Sequence, residues 1–179
     1  MLLFDLIVVT VTSLSVFFDL RVRRIPNWLI LFGLGAGLIV NFHRSPSGFS
    51  YSVMGFFIGV GTFIVPFSLG WMGAGDVKYS GVIGALLGVK LLPRVLFYAS
   101  VVAGIMAVGS VLVGRCRISV LKTAWTECKI AALTFGHLLP ETVTMRVSRG
   151  GYSLPWGVAL GAGTILAYFV DREGRWAGF

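Results

Sequence analysis

Charge is scarce in this chain. Asp, Glu, Lys and Arg make up only 12% of its 179 residues, about half of the ~25% usual in soluble proteins. A water-soluble fold of this composition could not cover its surface with polar atoms, so a soluble globular class is excluded and lipid is the expected outer solvent. Cysteine is nearly absent. Cys116 and Cys128 form no CxxC pair, which argues against a disulfide framework and against a thiolate zinc site. The net charge of +8 comes without an aromatic-interleaved basic patch, a zinc finger or a glycine-rich phosphate loop, so no nucleic-acid partner is expected. The N-terminus has no cationic n-region, carries Asp5, and shows no small-x-small cleavage site after its apolar run. It reads as a retained first helix and not a removed signal peptide.

What is plentiful is apolar. Hydrophobic residues reach 56% and the mean hydropathy is +0.90. Apolar stretches run over residues 2–18, 28–42, 51–71, 77–92, 95–114 and 152–170. The expected fold is all-α, a polytopic membrane bundle of about six transmembrane helices forming a single domain over residues 1–179, with flanking residues completing the shorter spans. The 24 glycines suit such a bundle, because small residues let membrane helices approach closely. Gly33/Gly37, Gly55/Gly59, Gly84/Gly88 and Gly157/Gly161 are spaced for tight crossings.

Residues 115–151 are the one substantial polar segment. Within it Ile118, Leu121, Trp125, Cys128, Ala132, Phe135 and Leu139 recur at spacings of three and four, with Arg117, Lys122 and Lys129 off that face. This pattern predicts a basic amphipathic helix on the inner leaflet. With the first helix starting outside, the inner segments carry ten Lys and Arg and the outer ones five. That asymmetry places both termini away from the cytoplasm.

With only seven acidic residues, each is weighed singly. Glu127, Glu141, Asp171 and Glu173 read as solvated surface charge, and Asp5 as a boundary residue. Asp19 and Asp76 differ. Asp19 closes the first apolar run ahead of Arg21, Arg23, Arg24, Ile25, Pro26 and Asn27. Asp76 opens the fourth run after Gly73, Ala74 and Gly75. The topology puts both at the inner face, where an acid at a bilayer boundary is a functional hint. Two such carboxyls held close do not both ionise easily, so one keeps its proton while the other is anionic. The anion can activate water against a peptide carbonyl, and the protonated member can polarise that carbonyl and supply a proton. No metal or cofactor is needed for this. Gly73 and Gly75 permit a sharp bend or the close approach of a substrate strand. The structural alternative stays open on the residues alone: Asp19 could pair with Arg21, Arg23 or Arg24, Asp76 could cap the fourth helix, and the glycines could simply form a turn.

These residues resemble the bacterial type IV prepilin peptidases, membrane aspartic proteases of the GxGD class. The motifs are Asp19 before Ile25-Pro26-Asn27, Gly73-Ala74-Gly75-Asp76-Val77-Lys78, and more weakly Leu154-Pro155-Trp156-Gly157-Val158-Ala159. The likeness runs from about Leu14 to Thr164. It implies that Asp19 and Asp76 are the catalytic pair and that the substrate is a prepilin or pseudopilin. It further implies that a short basic leader is cut off at the cytoplasmic face of the bacterial inner membrane, typically after a glycine. Pro26 and Asn27 are expected to end the first loop and start the second helix. Lys78 is expected to snorkel to the headgroups, with biasing of a carboxylate as its functional alternative. The chain lacks the paired CxxC motifs of the long family members, so it looks like the short form associated with Flp-type, tight-adherence pili, and methyl transfer is not expected of it. Tyr79 and Ser80 stand where the resemblance leads one to expect apolar residues. A GxGD protease acting on another substrate, or a non-enzymatic channel or assembly component, are the competing functions. His43 and His137 are given no catalytic role.

Overall fold

The computed structural model describes residues 2–68, 72–113 and 155–170, and every regular element among them is helical. Helices α1 (Leu2–Val22), α2 (Asn27–Arg44), α3 (Pro46–Ser68) and α4 (Ala74–Leu112) follow in order, and α5 (Trp156–Ile165) continues into a π-helical turn, Leu166–Val170. The expected all-α class is what these residues form. The amphipathic segment expected over 115–151 and both cysteines lie outside the described residues.

Helix α4 is central. It packs against α2, α3 and α5, while α1 packs against α2 and α5. Val8 and Val11 of α1, Leu29 of α2, Val82, Ile83, Leu92 and Val95 of α4 and Leu160 of α5 are fully enclosed at the meeting of these helices. Ser47–Ser68 and Ala74–Leu112 are long and apolar enough to cross a membrane, yet only 17% of the apolar window in each is buried inside the protein. A core helix of a soluble protein hides its apolar residues, whereas here Leu31, Phe57, Ile105 and Leu112 point outward.

Glycines set the closest crossings. A Cβ on Gly55 would strike the Gly84 carbonyl, and one on Gly84 would strike that of Gly55. A Cβ on Gly59 would lie 2.5 Å from the Ser80 carbonyl oxygen. Ser80, buried in the same crossing, donates its hydroxyl to the Gly59 carbonyl at 2.8 Å, which is how a polar residue sits there at little cost. Gly33 faces Val82 as closely: a Cβ there would lie 2.5 Å from Val82 Cγ1. Backbones that approach this closely gain dispersion contacts along their whole length.

The boundary between the fourth and fifth apolar stretches differs from the sequence expectation. The charged and proline-bearing residues around Pro93 do not divide two helices. The break falls earlier, at Gly88 (φ 76, ψ 169), inside one long helical element. That backbone conformation is open to glycine and closed to residues with a Cβ. The second arm continues through Pro93, five residues past the break. Asn41 of α2 attends to the break: its Nδ2 lies 3.0 Å from the carbonyls of both Ala85 and Leu86, and 2.7 Å from Ser52 Oγ. The i+4 donors of those two carbonyls lie beyond Gly88, so the amide supplies what the interrupted helix does not. Toward the other end of α1, the Tyr168 hydroxyl donates to Asp5 and ties the last helical turn to the first.

Candidate active site

The site is built from three helix ends. Helix α1 finishes with Asp19 in its last turns, and the Arg23 amide closes that turn on the Asp19 carbonyl at 3.1 Å. Arg23 then adopts a positive φ of 53°, the left-handed conformation that commonly ends a helix. The chain turns through Ile25 to Pro26, extended at φ −64 and ψ 139. The Pro26 carbonyl accepts from the amides of Leu29 (3.1 Å) and Ile30 (3.3 Å). Proline is thus spent where its missing N–H is not needed, and Asn27 begins α2.

Asp76 sits in the first turn of α4. Its Oδ2 accepts the Gly73 amide at 3.3 Å, so the carboxyl does cap its own helix, as the structural alternative held. The cap does not bury it away: Asp76 also faces a cavity of about 560 Å³. Gly73 takes φ −80 and ψ 152, a conformation open to any residue, so no sharp bend requires glycine there. A Cβ on Gly75 would come 3.5 Å from the Ile25 amide nitrogen, an ordinary contact distance. The motif glycines therefore leave space at the cavity wall and relieve no backbone strain.

Asp19 lines the same cavity, together with residues 23–27, 73–76 and Lys78. Every residue singled out from the two motifs, Asp19, Ile25, Pro26, Asn27, Gly73, Gly75, Asp76 and Lys78, is brought to this one wall. Lys78 lines the cavity with its Nζ 3.5 Å from Asn27 Oδ1, an amide oxygen within its reach. The lining mixes two carboxyls with the cations of Arg23, Arg24 and Lys78. Among the described residues no group of three or more His, Cys, Asp or Glu gathers as a metal-ligand set.

The third helix end was not assigned a role from the sequence. Asp19 is only 6% exposed, and its Oδ2 accepts the Val158 amide at 3.2 Å. Val158 belongs to the first turn of α5, where that amide also points to the Pro155 carbonyl at 3.2 Å, a shared bond typical of a helix start. The free amides and positive dipole end of α5 thus face the Asp19 carboxyl. Gly157 makes the approach possible, since a Cβ there would lie 2.8 Å from Asp19 Oδ2 and 2.9 Å from Asp19 Cβ and Cγ. The Pro155-Trp156-Gly157 match was the available signal for this contact.

A model of the type IV leader peptidase family matches residues 6–108, a stretch holding both Asp19 and Asp76. The chain belongs to the type IV leader peptidase family. A curated relative within reach, the "Prepilin leader peptidase/N-methyltransferase" of Bacillus subtilis (strain 168), is 33% identical over 115 residues, which cover 62% of this chain and 43% of the relative. The chain thus spans less than half the length of the relative it matches. No solved structure matches. Val158, the α5 partner of Asp19, lies beyond the stretch that the family model covers.

Proposed function

We propose that this protein is a membrane aspartic endopeptidase that removes the short basic leader of prepilins or pseudopilins, with Asp19 and Asp76 as its catalytic pair. The observation that carries the reading is the meeting of two carboxyls, from motifs more than fifty residues apart, in one cavity whose wall is otherwise the remaining motif residues. One carboxylate takes a proton from water as its oxygen adds to the scissile carbonyl. The other carboxyl, protonated, hydrogen-bonds the carbonyl oxygen and gives up its proton as charge develops there. Collapse of the tetrahedral intermediate breaks the C–N bond, and the proton gained by the first carboxyl passes to the leaving amine. The Val158 and Gly73 amides hold the two side chains in place and need not move during the reaction.

The proposal includes the setting. The outward-facing apolar surface of α3 and α4 supports a bilayer-embedded single domain of about six spans in the bacterial inner membrane. The Lys and Arg asymmetry supports an active site at the cytoplasmic face and both termini outside. Arg21, Arg23, Arg24 and Lys78 all belong to the cavity end, as that orientation requires. The substrate we propose is an Flp-type prepilin, the class that the motif resemblance implies. Methyl transfer is not part of the proposal.

The test is co-expression with an Flp-type prepilin, following leader removal by gel shift for wild type, Asp19→Asn and Asp76→Asn. Cleavage by wild type that disappears in both variants, each still inserted, is the expected result. Full cleavage by either variant removes that aspartate from the mechanism.

A further inference from the structure

One to two turns inward from the carboxyl pair lie three hydroxyl side chains for which the proposed reaction has no use. On α4, Tyr79 follows Asp76 by three residues. On α1, Ser15 and Thr12 precede Asp19 by four and seven. Each helix thus presents a carboxyl and then a hydroxyl along one face. At the helical rise, Tyr79 lies about 4.5 Å along α4 from Asp76, and Ser15 about 6 Å along α1 from Asp19. All three hydroxyl residues are enclosed, Thr12 and Tyr79 at 1% exposure and Ser15 at 0%. Thr12 and Ser15 are the side chains that face the phenol, and Asp19 is the charge that acts on it. Thr12 and Ser15 stand as hydrogen-bonding neighbours of the phenol, yet among the described residues neither Tyr79 Oη nor Ser15 Oγ meets a partner at direct hydrogen-bond geometry.

Buried hydroxyls are almost always bonded to protein or to ordered water, and a buried water needs two to four polar partners. This tier offers three from two helices, directly beneath the acids. We propose that Thr12, Ser15 and Tyr79 hold an ordered water against the inner side of the carboxyl pair, and that Tyr79 is through it a positioning residue for Asp19. The inference rests on the reading of Asp19 and Asp76 as the acting pair. Val158 engages Oδ2 of Asp19. A donor reaching the carboxyl from the hydroxyl tier fixes the plane of the group from a second direction, so the carboxyl meets substrate in one orientation.

Tyr79→Phe removes the hydroxyl and keeps the ring, and it is made in the full chain in its membrane. The expected result is a kcat for leader removal about tenfold lower, the worth of one hydrogen bond to a charged group, with KM unchanged. In the infrared spectrum the carboxyl band that is missing from Asp19→Asn shifts as well. Ser15→Ala moves that band in the same direction, and the double variant moves it no further than the larger single, as members of one network do. A hydroxyl with a purely structural part predicts the opposite, wild-type kcat and an unmoved band in Tyr79→Phe, and that result overturns the proposal. Should wild type cleave no prepilin, the functional reading falls, and the infrared band still decides the tier: a shift upholds it and no shift removes it.

Discussion

Replacing Gly157 by alanine tests whether the start of α5 positions Asp19. The added Cβ would lie 2.8 to 2.9 Å from three Asp19 atoms, among them Cβ. Carbon atoms settle at about 3.5–4.0 Å, so the gap must open by roughly 0.7–1 Å. Rotation of the carboxyl alone cannot open it, because Asp19 Cβ is fixed to the α1 backbone. Either α1 and α5 separate, or Asp19 leaves the Val158 amide now 3.2 Å away. The first route is overpacking, at about 1–3 kcal/mol of stability. The second forfeits a hydrogen bond to a charged group, about 1.5–3 kcal/mol. A displacement of about 1 Å at a reacting group lowers turnover on the order of a hundredfold, so leader removal by Gly157→Ala is expected to slow by about that factor. The control is Gly61→Ala in α3, where nothing lies within 4 Å of the added carbon. Its expected effect is wild-type activity with a slight gain in stability, since alanine is the better helix former by about 1 kcal/mol. The assay is a time course of leader cleavage in membranes, with thermal melting in detergent for each variant. Equal cleavage rates for Gly157→Ala and Gly61→Ala would refute the reasoning, whatever the melting curves show.

That contact also marks where sequence reasoning stopped. The ends of α1 and α2 were legible because they are local: a carboxyl, a run of arginines and Ile25-Pro26-Asn27 carry their own backbone preferences. The first turn of α4 was legible for the same reason, and the charge count gave the expectation that both acids lie at one end of the bundle, where one cavity holds them. The Asp19–Val158 bond joins residues 139 apart. It depends on α1 and α5 being neighbours, which apolar periodicity does not encode when every face is apolar. Its trace in the sequence was a glycine among 24, indistinguishable by spacing from those that pack helix on helix. The break in α4 was misplaced for a related reason. Pro93 is the conspicuous breaker in the sequence, yet the helix continues through it, and Gly88 shows its role only through φ 76. The motif glycines Gly73 and Gly75 mislead in the reverse direction, being written like hinge residues and folded like ordinary ones.

Two further outcomes concern the α4 break. Gly88→Ala forces a Cβ into φ 76 and is expected to lower stability by about 1–2 kcal/mol, seen as an earlier melt in detergent, with cleavage per folded molecule retained because the cavity lies elsewhere. An unchanged melt would mean that residue 88 does not hold this conformation in the membrane. Asn41→Ala removes the amide shared by Ser52 Oγ and the carbonyls of Ala85 and Leu86. Asn41 is partly buried and these carbonyls have lost their helical donors across the break, so at least one is left unsatisfied, at about 1–3 kcal/mol. Asn41→Asp distinguishes a lost donor from a lost contact: it keeps the shape, offers no N–H when ionised, and is expected to destabilise at least as much as alanine. If Asn41→Asp instead melts like wild type, the amide donates nothing of consequence there, and the packing of Gly37 against the Ala85 and Leu86 backbone, where a Cβ would sit at 3.0 Å, must hold the break by itself.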